Sequence, residues 1–342
     1  MIDVTAEAAP EAAASERVAA AADDDLLLLR QMLLLRAYDE RAVTLQRQGR
    51  LSAYPMFWGE EGIQAGALAA VRESDWLFPT YRQNALPVLR GAPPEQVLSY
   101  FNGDPRGLLD PRRYACAPQC VPVATQIPHA VGWAWGRANA GSDDVAVVFF
   151  GDGATSEGDF HEGVNLAGVL RAPVVLLCTN NGWAISTPVA RQTAAKAIVD
   201  KAAGYGIVGV QVDGFDARAV RDVVAVAAER ARAGAGPTLV EATCYRIGPH
   251  ATADDPARYR DPAVAETWRA HEPVARLADS LLARGLLTED ELELERANAH
   301  ARMVEASERL AAQGPVDRRR LIEHVHVEPP PLLEAQLGGR TA

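Results

Sequence analysis

The chain has 342 residues, of which 48% are hydrophobic, and a formal net charge of −11. That length and apolar content support a large buried core in one or two domains, and an acidic balance without a basic stripe interleaved with aromatics argues against a nucleic-acid partner. Four cysteines, Cys116, Cys120, Cys178 and Cys244, show neither CxxC nor paired-histidine spacing, which argues against structural zinc and a secreted disulfide framework and points to a reducing cytoplasm.

In chain order, Met1 to Asp25 is rich in Ala and Glu with no positive region ahead of an apolar stretch, so residues 1–24 are expected to be a disordered leader, neither signal nor transit peptide. Leu26 to Leu35 is interrupted by Arg30 and Gln31 and falls short of the roughly 20 residues that cross a bilayer, so no membrane span is expected. Asp25 to Gln48 predicts a helix, with Leu28, Met32, Leu35 and Val43 on one face and Gly49 as the stop. Leu51 to Gly62 reads as aromatic and irregular, Gly62 to Val71 as a tightly packed small-residue helix, and Asp75 to Arg82 as a loop carrying Trp76, Phe78, Tyr81 and Arg82.

From Val145 onward strand and helix alternate: strands at Val145 to Phe150, Val174 to Thr179, Ile207 to Val212 and Thr238 to Tyr245, and helices from about Glu157 to Leu170 and from Asp216 to Ala233. Such alternation implies an α/β fold, a doubly wound, mostly parallel sheet flanked by helices, with helical additions at both ends. Pro262 to Gln313 reads as helical with an apolar stripe of Leu277, Leu281, Leu286 and Leu292, and the prolines Pro329 to Pro331 predict no further helix. With no internal repeat and no Gly/Ser-rich linker, residues 25–327 are expected to form one domain, followed by a tail at 328–342.

Two of the strands end in polar turns. Gly151-Asp152-Gly153 ends one, and Asn180-Asn181-Gly182 ends the next. Ligands of a parallel sheet collect beyond the carboxyl ends of its strands, where helix N-termini offer amides to phosphate. A dinucleotide fingerprint is absent, because its third glycine position is Ser156 and the wedge residue is an acid that repels pyrophosphate unless a cation lies between. Magnesium or calcium takes hard oxygen ligands, and Asp152, the Asn181 side chain and a backbone carbonyl in the Gly182-Trp183 turn supply three. Only Lys196 and Lys201 supply lysine, and neither lies near a glycine-rich cofactor signature, which argues against a lysine Schiff base to pyridoxal phosphate.

The span from Gly151 to Asn181 resembles the signature by which thiamine-diphosphate enzymes hold magnesium and diphosphate. Gly151 to Phe160 together with Asn180 to Pro188 is similar to one branch, the alpha subunit of the decarboxylating first component of 2-oxo acid dehydrogenase complexes. The likeness runs from about Leu26 to Val325, with further blocks in order at Tyr54 to Gly62, Phe78 to Arg82, Ala124 to Pro128, Gln211 to Gly214 and Tyr245 to Asp255.

That resemblance implies thiamine-diphosphate-dependent oxidative decarboxylation of branched-chain 2-oxo acids of the 3-methyl-2-oxobutanoate type, with the acyl group passed to a lipoyl domain of the acyltransferase. A pyruvate-specific or acetoin-specific alpha subunit is the alternative within the family, and a non-catalytic phosphate-binding chain the alternative outside it. Carried over by position, Asp152, Asn181 and the Trp183 carbonyl would hold Mg²⁺; Tyr81, Arg82, Gly151, Gly153 and Ala154 would contact the diphosphate; Val121 and Val123 would meet the aminopyrimidine through backbone atoms. His250 would be the active-site histidine, and Pro122, Thr125 and Gln126 match a monovalent-cation site that takes K⁺. Tyr54, Met56 and Phe57 are expected near the acyl pocket, and His129 and His161 are assigned to structure.

Three positions depart from the family pattern: Cys120 stands where the cation site has serine, Thr179 where animal branched-chain members have arginine, and Ala251 where animal kinases phosphorylate serine, so control by phosphorylation at that residue is excluded. Apart from Val121, Val123 and His250, the residues matched to the cofactor address its diphosphate half, and no second parallel-sheet block is present to supply the carboxylate that activates the pyrimidine. The resemblance therefore implies a separate beta subunit in an α₂β₂ assembly, carrying the carboxylate that activates the pyrimidine.

Overall fold

In the computed structural model, which describes residues 8–317, 319, 322 and 326–338, the apolar runs form the strands β1 (Trp76–Phe78), β2 (Ala146–Gly151) and β3 (Val174–Asn180), a short antiparallel pair β4 (Trp183–Ala184) and β5 (Thr187–Pro188), and the strands β6 (Val208–Asp213) and β7 (Thr238–Thr243). The main sheet is parallel throughout, in the order β1-β2-β3-β7-β6.

The helices are α1 (Ala8–Arg47), α2 (Glu61–Ala69), α3 (Leu86–Leu89), α4 (Pro94–Ser99), α5 (Pro111–Tyr114), α6 (Gln126–Asn139), α7 (Gly158–Leu170), α8 (Lys201–Gly204), α9 (Ala217–Arg232), α10 (Pro262–Arg269), α11 (Pro273–Ala283), α12 (Glu289–Ala311) and α13 (Pro331–Gly338). Alternation along β2 sends Val147 and Phe149 to one core, packed with α1, α2 and α9, and Val148 and Phe150 to the other, packed with α6 and α7. Both faces are therefore buried, as a parallel sheet requires.

Where α2 crosses α9 the contact is backbone to backbone. A Cβ on Gly66 would lie 2.5 Å from the Ala217 carbonyl oxygen and one on Gly62 3.0 Å from that of Gly214, so only glycine lets the two helices approach this closely. The Asp216 carboxylate caps α9 by accepting from the amides of Arg218 and Ala219, both at 3.1 Å.

Several expectations are corrected. Residues 8–24, expected to lack regular structure, continue α1 backward to Ala8, while 1–7 lie outside the described residues. The loop expected over Asp75 to Arg82 contains β1, which pairs with β2 at the sheet edge. The Pro262 to Gln313 segment divides into α10, α11 and α12 because Pro262 and Pro273 each open a new helix behind an acidic cap, Asp261 or Glu272, and Thr288 with Glu291 forms a capping box. The proline run near the C-terminus precedes a helix, α13, rather than forbidding one, since Pro331 stands at its first position, where no backbone N–H is needed.

Candidate active site

β2 and β3 are in register at Gly151 and Thr179, and so their carboxyl ends lie side by side. Asp152 follows the first and Asn181 the second. Both line one cleft, whose wall also includes Glu60, Tyr81, Arg82, Val123, Ala124, Gln126, Gly151, Gly153, Ala154, Thr179, Trp183, Ile185 and His250. Among the four described non-glycine residues with positive φ, Ala124 (+72°) and Ile185 (+55°) belong to this wall. A left-handed conformation at a β-branched residue costs on the order of 1–3 kcal/mol, and such strain collects at ligand sites.

Asp152 is 1% exposed, and burial pushes its carboxyl above the ordinary carboxylate range; the Gln192 amide at 2.8 Å works the other way. The Asn181 amide oxygen accepts from the Trp183 N–H at 3.2 Å, and its nitrogen donates to Glu60 Oε1 at 2.8 Å. The Trp183 carbonyl accepts from Arg246 at 3.3 Å. Among the described residues no three His, Cys, Asp or Glu side chains cluster as a ready metal site. A divalent cation here would thus take one carboxylate, amide and backbone oxygens, and oxygens of its ligand. The donor set fits: hard oxygens at two adjacent loop tips, one of them a buried carboxylate. Glu60 Oε2, Gln126 Oε1 and Thr179 Oγ1, all in the cleft wall, are buried without a protein hydrogen-bond partner, so they are free to meet a bound group or water.

The Arg82 guanidinium is almost wholly buried. It donates to the Met56 carbonyl, to His250 Nδ1 at 3.0 Å and to the His250 carbonyl at 3.3 Å, with Glu60 Oε1 3.8 Å from its Nε. Because arginine has no acceptor, Nδ1 of His250 must accept, and the proton of the neutral ring sits on Nε2. Burial lowers the His250 pKa from 6.5 to about 4, assisted by Arg82 and Arg246. The ring is neutral at pH 7 and offers one Nε2–H donor. Its backbone amide donates to Asp254 at 2.8 Å; Asp254 accepts the Tyr259 hydroxyl at 2.5 Å, which in turn takes a bond from Arg246 at 2.7 Å. Arg246 also reaches the Ile185 carbonyl at 2.6 Å, and thereby ties the His250 loop to the Asn181 turn.

The remaining expected residues divide. Tyr81 lies edge-on to His250, ring centroids 5.9 Å apart. Gln126 points its nitrogen at the Phe149 carbonyl, Thr125 donates to Asp159, and the Pro122 carbonyl accepts from the Cys120 thiol. Val121 and Val123 are exposed, and of the two only Val123 lines the cleft. Tyr54 and Phe57 are not in its wall: Tyr54 donates to Asp39, Phe57 packs in the core behind it, and Met56 contributes its carbonyl to Arg82. His129 and His161 lie on α6 and α7, away from the cleft. Sequence reasoning did not single out Glu60, Gln192 or Arg246; the only sign of Glu60 is a pair of acids directly ahead of an apolar helix.

The family described as dehydrogenase E1 component matches residues 29–317. The chain is 49% identical over 251 residues to the 3-methyl-2-oxobutanoate dehydrogenase subunit alpha of Mycobacterium tuberculosis, covering 73% of this chain and 68% of that protein. It is 40% identical over 258 residues to the pyruvate dehydrogenase E1 component subunit alpha of Bacillus subtilis, covering 75% and 69%, and 39% identical over 268 residues to the Staphylococcus aureus protein of the same name, covering 77% and 72%. With a cleft built from the matched blocks and relatives at these identities, the chain belongs to the dehydrogenase E1 component family.

Proposed function

We propose that this chain is the alpha subunit of a branched-chain 2-oxo acid dehydrogenase, which with a beta subunit in an α₂β₂ assembly decarboxylates 3-methyl-2-oxobutanoate and related acids and delivers the acyl group to a lipoyl domain of an acyltransferase. The observation that carries the reading is the meeting of Asp152 and Asn181 at adjacent strand ends, in a cleft with unpartnered buried oxygens; the identity to the mycobacterial subunit supports the substrate. We assign residues 25–327 to the catalytic unit and the protein to the cytoplasm, in keeping with four free cysteines.

Asp152, Asn181 and the Trp183 carbonyl would hold Mg²⁺, with Tyr81, Arg82 and the amides of the Gly151 to Ala154 turn toward the diphosphate. When bound, thiamine diphosphate supplies the carbon nucleophile and the electron sink for decarboxylation. His250, neutral and donating from Nε2, can hydrogen-bond a developing oxyanion without adding charge. Gln126 Oε1, buried and unpartnered, would suit a monovalent cation such as K⁺ beside Pro122 and Thr125. Steady-state kinetics of the assembled pair should give a higher kcat/KM for 3-methyl-2-oxobutanoate than for pyruvate; the reverse order would make this a pyruvate-type subunit.

A further inference from the structure

We propose that Glu60 is a positioning residue that locks the Asn181 amide and the Arg82 guanidinium in the orientations a metal-bound diphosphate needs. The inference rests on the reading of the cleft given above. Asn180 and Asn181 are both side chains whose two ends could exchange, and each is held the same way. The Asn180 nitrogen donates to Glu241 at 2.7 Å and its oxygen accepts from the Gly182 amide at 3.1 Å; the Asn181 nitrogen donates to Glu60 at 2.8 Å and its oxygen accepts from the Trp183 amide at 3.2 Å. A backbone N–H only donates, so in each pair the amide oxygen must face the turn, and the amide nitrogen then faces the glutamate.

The two glutamates then part company. Glu241 is structural: its other oxygen takes the Val199 amide at 2.9 Å and the Gln211 side chain at 3.3 Å. Glu60 is fully buried, and its Oε2 has no partner. Its Oε1 serves Asn181 and stands 3.8 Å from the Arg82 Nε, which joins the start of α2 to the Asn181 turn and to the turn that follows β1. A buried carboxylate left half satisfied costs stability. Its yield is the geometry of the cleft.

The test is a calorimetric titration of Mg²⁺ into the assembled alpha and beta chains at saturating thiamine diphosphate, with thermal unfolding of the cofactor-free protein alongside. Glu60→Ala should weaken Mg²⁺ binding by roughly 10–100-fold, as loss of groups that orient metal ligands does, and leave the cofactor-free melting temperature unchanged or raised. Glu60→Gln, whose amide oxygen can still receive Asn181, should recover most of the affinity. Unchanged Mg²⁺ affinity in Glu60→Ala beside its loss in Asp152→Ala would overturn the role of Glu60 and leave the site reading standing; retention in both variants would overturn both. A melting temperature lowered equally by Ala and Gln, or failure of either to fold, would make Glu60 a structural residue and overturn the proposal.

Discussion

The chemistry of the cleft depends on how few side chains remain free to choose their state. His250 shows this best. Its Nδ1 is committed to Arg82 and its amide to Asp254, so tautomer and ring position are set before any ligand arrives. Its folded pKa of about 4 lies below the 6.5 of an ordinary histidine, so between those values the unfolded chain holds the proton more readily. Stability from this group is complete above pH 6.5 and is lost as pH falls toward 4. Unfolding measured across that window should therefore depend less on pH in His250→Asn than in the native sequence, and equal slopes would show that the ring is not held neutral. The polar turns at Asp152 and Asn181, which line the cleft, were legible because a polar residue capping an apolar run stands out by contrast. The direction of Tyr54 and Phe57, which lie in the core and not in the cleft wall, was not legible, because an irregular segment has no periodicity to say where its side chains point.

Glycine contacts decide where the elements sit. α2 reaches the cleft only because Gly62 and Gly66 let it lie on α9 and the Gly214 turn, and it is this crossing that delivers Glu60 to Asn181. Gly66→Ala would drive a Cβ to 2.5 Å from the Ala217 carbonyl, and the forced separation should cost about 1–3 kcal/mol in denaturant unfolding and weaken cofactor binding as Glu60 shifts. Native stability in that variant would show that the crossing is not tight. The parallel sheet could be read from the alternation of strands and helices. The α2–α9 crossing could not, since the two helices are about 150 residues apart and no local pattern announces their contact. β1 was missed for a related reason: three residues are too short a run for alternation to show.

Across the molecule, the sheet brings two distant loop tips together on one side of a cleft, and the exposed wall residues Val123 and Ile185 leave that cleft open at the surface. On the proposed assignment no residue of this chain supplies the carboxylate that activates the pyrimidine, so the chain alone should show no turnover of 2-oxo acid with thiamine diphosphate and Mg²⁺, and the pair with its beta chain should be active. Turnover by the single chain at the rate of the pair would remove the need for a partner. The decisive observation is crystallographic: the assembled pair grown with thiamine diphosphate and Mn²⁺ in place of Mg²⁺, with data collected at the manganese edge. The anomalous peak should lie within about 2–2.6 Å of both an Asp152 carboxylate oxygen and Asn181 Oδ1, beside the diphosphate. A peak elsewhere, or a diphosphate bound with those two oxygens turned away from it, would contradict the assignment.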